Sequence, residues 1–137
     1  MSWLILSIFV IVFWGLWSFL VKLASNHLDW YQIFVVSNTV FLAFTVLVYF
    51  WFRPQLAGEP LAAWIYAAAA GATGALGTIL FYLALKCGKA SIVVPLSALY
   101  PVVAVALSLL LLHETLSFKQ ALGVVLAIIA ILLISSS

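Results

Sequence analysis

The hydrogen-bonding side chains of this 137-residue chain are mostly neutral, and they recur at helical spacing. Ser7, Trp14, Ser18 and Lys22 fall on one stripe of an apolar segment. Asn38 and Thr45, seven residues apart, share a face of the next. Tyr82 ends a face of small residues made by Ala67, Gly71, Gly74 and Thr78. Further on, Ser91, Ser97 and Tyr100 are grouped around Pro95 and Pro101. Such groups hold a ligand by neutral hydrogen bonds. Bond-breaking chemistry needs other residues, and neither a nucleophile–base pair nor paired carboxylates occur, so an enzyme is not expected. His27 and His113 lie in different turns and Cys87 is the only cysteine, so neither a metal centre, an intrachain disulfide nor a cofactor is expected.

The elements that must position these residues are five apolar runs, roughly Trp3–Val21, Tyr31–Phe52, Leu61–Leu85, Ala90–Leu112 and Phe118–Ile134. Each is near the ~20 residues that a helix needs to cross a ~30 Å hydrocarbon core. The chain is 69% hydrophobic and 6% charged, and its five basic and three acidic residues fall between the runs or at their margins. With lipid as solvent, each segment must satisfy its own backbone, so the expected fold is all-α, with five transmembrane helices in one domain over residues 1–137. A net charge of +2, dispersed along the chain, excludes nucleic acid as a partner. The first run has no charged region before it and no small-residue cleavage site after it, so a cleavable signal peptide is not expected.

Local signals set the helix ends. Asp29 with Gln32, and Ser117 with Gln120, have capping-box spacing. Glu59-Pro60 opens the third helix, and Gly88 is expected to close it in the left-handed conformation. Trp3, Trp30, Tyr31, Trp51 and Trp64 lie near run ends, as a headgroup belt requires, whereas Trp14 and Trp17 lie inside the first helix and are candidate walls of a cavity. Lys22 is expected to snorkel to the interface. Asn38, deep in its span, needs a partner, either on another helix or on a ligand. In the fourth helix, Pro95 and Pro101 remove two donors, so the carbonyls of Ser91 and Ser97 are released for protein, water or substrate. Interrupted spans often mark a transport site. Gly71, Gly74, Gly123 and Ala127 are expected to serve dimer or helix packing.

The stretch Leu85-Lys86-Cys87-Gly88-Lys89-Ala90-Ser91, the segment from Pro95 to Tyr100-Pro101, Leu112-His113-Glu114, and Gln120-Ala121-Leu122-Gly123 together resemble the EamA repeat of the drug/metabolite transporter superfamily. Trp14-Gly15 and Lys22-Leu23-Ala24 of the first helix fit the same pattern. The resemblance implies one five-helix EamA-like repeat and a secondary transporter of small organic molecules, an exporter or exchanger, in a bacterial or archaeal inner membrane. Most relatives carry two inverted repeats around a central cavity; this chain has one. The embedded glutamate of the related small multidrug resistance proteins has no counterpart in its first helix, which leaves facilitated diffusion or exchange open. Glu114 matches the family's acid between the fourth and fifth helices and is expected to orient that helix pair.

Five spans put the two ends on opposite membrane faces. The basic residues divide as Arg53 and Lys119 against Lys22, Lys86 and Lys89, too even a split to fix orientation. Dual insertion and an antiparallel homodimer are therefore expected, with the bilayer, a second copy and a small organic substrate as partners. Trp14, Ser18, Asn38, Tyr82, Ser97 and Tyr100 are the expected substrate-binding residues, and Pro95 and Pro101 the helix-breaking ones. The alternative is a non-transporting accessory subunit, or one half of a heteromeric lipid-carrier flippase.

Overall fold

A computed structural model describes residues 3–54 and 58–135. The described residues form six helices: α1 (Trp3–Ser25), α2 (Trp30–Phe52), α3 (Leu61–Cys87), α4 (Ala90–Ser97), α5 (Tyr100–Leu111) and α6 (Phe118–Ser135). The first three have 23, 23 and 27 residues, so each rises at least about 34 Å and covers a bilayer core. Segment Ala90–Leu111 is long and apolar enough to cross as well, and α6 is a shorter apolar helix. Five apolar segments in an all-helical chain make a multi-pass membrane protein.

The fourth apolar run is divided, and the two prolines contribute unequally. Pro95 sits inside α4 without ending it. The break falls at Ala98 and Leu99, and Pro101 occupies the first turn of α5, where a proline needs no N–H. The last turn of α4 tightens as it ends. Ala98 N–H reaches the carbonyls of both Val94 and Pro95, and Leu99 N–H that of Leu96 at 3.2 Å.

The chain forms two compact units, Met1–Cys87 and Gly88–Ser137. In the first, α1, α2 and α3 pack against one another. Its buried residues are Ser18 and Val21 of α1, Ile33 of α2, and Tyr82 and Leu85 of α3. All five lie toward the end marked by Lys22, Asp29 and Lys86, so the three helices converge there. In the middle of α3, Gly71, Gly74 and Gly77 have nothing from another helix within 4 Å of where a side chain would start. In the second unit α4 packs on α6. Gly123 of α6 likewise borders open space.

Two ties hold the converging end of the first unit. The Lys22 ammonium donates to the Leu85 carbonyl at 2.8 Å, so it does not simply reach for water as expected. The last carbonyls of α3 lack intrahelical partners, and a cation at a helix C-terminus suits both the carbonyl and the helix dipole. The second tie is an ion pair between Lys86 and Asp29. Asp29 also accepts from the Tyr31 hydroxyl at 3.2 Å, while Gln32 Oε1 accepts from the Asp29 amide at 2.8 Å.

The Lys86 ammonium, and after it the Tyr31 hydroxyl, hold the Asp29 carboxyl below its ordinary value of 3.8. A depressed carboxylate stabilises the fold above the unfolded value, and that contribution is lost as pH falls through the folded one. The thermal-unfolding midpoint of the purified protein is therefore expected to drop below about pH 3.8. Asp29→Asn should remove that part of the drop. The effect should be small, because both side chains are exposed, and should shrink in salt.

At the other helix ends, left-handed backbone occurs at Arg53 (φ 45), Gly58 (φ 105) and His113 (φ 53). Gly88 does not adopt it. Helix α3 ends at Cys87, and Lys89 is already extended as the cap of α4, so a single residue separates the last helical position from the next cap. Ser117 and Gln120 form the expected box at the start of α6: Gln120 Oε1 accepts from the Ser117 amide at 2.8 Å, and Gln120 N–H reaches Ser117 Oγ at 3.4 Å.

Candidate functional site

An aromatic cluster forms where α1, α2 and α3 converge. The Trp17 ring stacks on Phe81, with centroids 5.4 Å apart, and lies 6.0 Å from Tyr82. Phe34 meets Tyr82 edge-on at 6.5 Å. Offset and edge-to-face contacts of this kind are favoured by ring quadrupoles and fix the three helices in register. Tyr82 is 1% exposed. Two polar atoms in the cluster, Trp17 Nε1 and the Tyr82 hydroxyl, are buried without a hydrogen-bond partner.

Beside this cluster a cleft of about 380 Å³ runs between α1 and α2. Trp17, Leu20, Val21 and Ala24 form one wall, and Ile33, Val36, Ser37, Val40, Phe41 and Phe44 the other, with Leu28 at the hairpin end. From Ile33 to Phe44 the α2 wall rises about 16 Å, roughly half the thickness of a bilayer core. Ser37 is the single hydroxyl in the lining, and no ionisable side chain takes part. Apolar walls with a few polar groups are the usual composition of a small-molecule site.

The expected site residues are distributed as follows. Trp17 walls the cleft; Trp14 is not part of the lining and is 56% exposed. Ser18 is buried and donates to the Gly15 carbonyl at 2.9 Å. Asn38 Nδ2 donates to the Phe34 carbonyl at 2.8 Å, so its amide has a partner on its own helix rather than on a neighbour. Ser7, Thr39, Thr45 and Thr78 likewise bond back to carbonyls four residues earlier. This is how short polar side chains are accommodated in an apolar helix. In the second unit Ser97 closes α4, and Tyr100, 57% exposed, opens α5.

Glu114 lies in the segment that returns along α5. Its amide donates to the Ser108 carbonyl at 3.3 Å, and it lines a 170 Å³ pocket with Pro101, Ala104, Val105, Ser108, Leu109 and Leu116. Polar spacing does not point to the α2 wall of the cleft. Its signal in the sequence is a stripe at 33, 36, 37, 40, 41 and 44, apolar except for Ser37 and with the spacing of one helix face.

Comparison with known proteins agrees with this architecture. The chain is 37% identical over 134 residues to an uncharacterized protein of Methanocaldococcus jannaschii, a match that takes in 98% of this chain and 96% of that relative. No solved structure matches the chain. The EamA-like transporter family matches residues 1–136, across all the helices described above. With its five apolar segments and near end-to-end match, the chain belongs to the EamA-like transporter family of membrane proteins.

Proposed function

We propose that two copies of this chain form a secondary transporter, an exporter or exchanger of small organic metabolites, in the cytoplasmic membrane of a bacterium or archaeon. The observation that carries the reading is how little of the chain its own helices cover. Only Ser18, Val21, Ile33, Tyr82 and Leu85 are buried among the described residues, while the glycines of α3 and Gly123 of α6 border open space. Small residues on an uncovered membrane helix invite close approach of another helix, because lipid tails gain nothing by filling such a notch. A second copy supplies those helices and the far wall of a route that one copy leaves open. The M. jannaschii relative is covered over 96% of its length, so it too is built on this scale.

In this reading Trp14 and Tyr100, both exposed in the single chain, face the route together with Asn38 and the Ser97 end of α4. Ser18 and Tyr82 shape its base from beneath. The break between α4 and α5 gives one span a place to bend as the route opens to alternate sides. Gly71, Gly74, Gly123 and Ala127 carry the contact between copies.

Native mass spectrometry from mild detergent is expected to give twice the 14.9 kDa chain mass. Metabolites that raise the unfolding midpoint of that preparation should exchange across vesicles into which it is reconstituted. A clean monomer that retains exchange would overturn the paired unit. A paired protein for which no stabilising metabolite exchanges would overturn transport and favour an accessory role.

A further inference from the structure

The helices of the first unit cover one another along only half of their length. Every residue of α1 before Trp17, of α2 after Ser37 and of α3 before Thr78 is exposed. The five residues buried among the described ones, Ser18, Val21, Ile33, Tyr82 and Leu85, all lie in the half nearer Lys22, Asp29 and Lys86. The bundle is shut at one end and uncovered at the other.

Opposed forces act on the shut end. Both ties that hold it fasten to the last turn of α3: Lys22 of α1 donates to the Leu85 carbonyl, and Lys86 pairs with Asp29, the cap of α2. The ion pair is a weak tie, since its side chains are 42% and 43% exposed. Inside the same end, the Tyr82 hydroxyl and Trp17 Nε1 are buried without a partner. Dry, unpaired polar atoms oppose closure, and water admitted at this end would satisfy them. Tyr82 lies one helical turn before Lys86, so the tie and the unpaired hydroxyl act on one segment of α3. Weak ties set against unsatisfied groups are the energetics of an element with two accessible states.

We infer that this end of the first unit is a gate, closed in the present structure and latched by the Asp29–Lys86 pair, which opens when the last turn of α3 parts from the α1–α2 hairpin. The inference rests on the transporter reading for its purpose. A route open to alternate sides needs one end that shuts and reopens, and the converging end is where this bundle shuts. An antiparallel pair of copies would carry one such gate at each membrane face.

Opening is read by Ser18→Cys, a substitution of nearly equal size at a buried position one turn from Lys22. The full-length protein, with Cys87→Ser to remove the native thiol, is placed in lipid nanodiscs, where both faces meet solvent. The rate of modification by a permanently charged methanethiosulfonate, which cannot enter through lipid, then reports water at that depth. Asp29→Asn keeps a capping side chain and removes the charge, and Lys86→Gln removes the other. Each should speed modification about two- to fivefold, the effect of an exposed ion pair, and the double variant should go no faster than either. The two substitutions change local charge in opposite directions, so attraction of the reagent cannot raise both rates. Lys86→Arg should keep the parent rate. Tyr82→Phe removes an unpaired hydroxyl from the closed state and should slow modification about two- to fivefold. The inference is overturned if the Ser18→Cys thiol stays unreactive in every background, if the two charge removals fail to speed it or act additively, or if Tyr82→Phe does not slow it. The expected pattern in a protein found to carry no flux supports the gate and overturns the transporter reading alone.

Discussion

Replacing Tyr82 by alanine should lower unfolding stability by about 3 kcal/mol, whereas replacing it by phenylalanine should leave stability unchanged or raise it by up to about 1 kcal/mol. The two substitutions act on different parts of one side chain. The ring is 1% exposed and touches Trp17, Phe34 and Phe81, so its loss leaves a void where three helices meet. The figure sits at the low end of the range for aromatic truncations, because lipid tails are as apolar as the helix faces they would cover. Packing is what is lost. The hydroxyl, by contrast, is buried without a partner, and deleting it relieves a desolvated group. Denaturant unfolding of the three proteins in one detergent reads both effects. If Tyr82→Phe proved as damaging as Tyr82→Ala, the hydroxyl would have a hydrogen-bond partner in the working protein, and the second copy would be the first place to seek it.

The parts of this architecture that were legible in the sequence are those fixed by local physics. Span positions follow from run length against bilayer thickness. The Ser117–Gln120 box and the Gln32 contact to Asp29 follow from spacing within one helical turn. Pro101 marked the break in the fourth span because a proline deprives the carbonyl four residues back. Pro95 did not, since α4 continues past it for two residues.

What spacing could not supply were contacts between distant segments. Lys22 and Leu85 are 63 positions apart, and Asp29 and Lys86 are 57 apart, so neither tie leaves a local trace. Gly88 departs from the expected left-handed stop because the length of its connection, rather than its own freedom, decides its conformation. The cleft was half visible. Trp17 stood out inside the first helix, but the opposing apolar stripe of α2 reads the same whether it faces lipid, a neighbouring helix or a cavity.

If the two copies lie antiparallel, a membrane-impermeant thiol reagent applied to intact cells should modify about half of the Cys87 population. Three features favour that arrangement. Five crossings would divide the basic residues three to two between the two membrane faces. They would also put the chain ends on opposite sides. The uncovered glycines of α3 and α6 leave faces for a partner. Cys87 is the last residue of α3 and is exposed, close to the Lys86–Asp29 tie, so it reports which face that end of the first unit occupies. In an antiparallel pair the two thiols stand on opposite faces, separated by a ~30 Å core, far beyond the ~7 Å between Cα atoms that a disulfide can span. No Cys87–Cys87 crosslink should form within the pair. The most direct measurement is therefore the labelled fraction in intact cells, normalised to full reaction after denaturation, on protein recovered as a dimer. Half-labelling with no crosslink is the predicted result; complete labelling, complete protection or ready crosslinking within the dimer would contradict it.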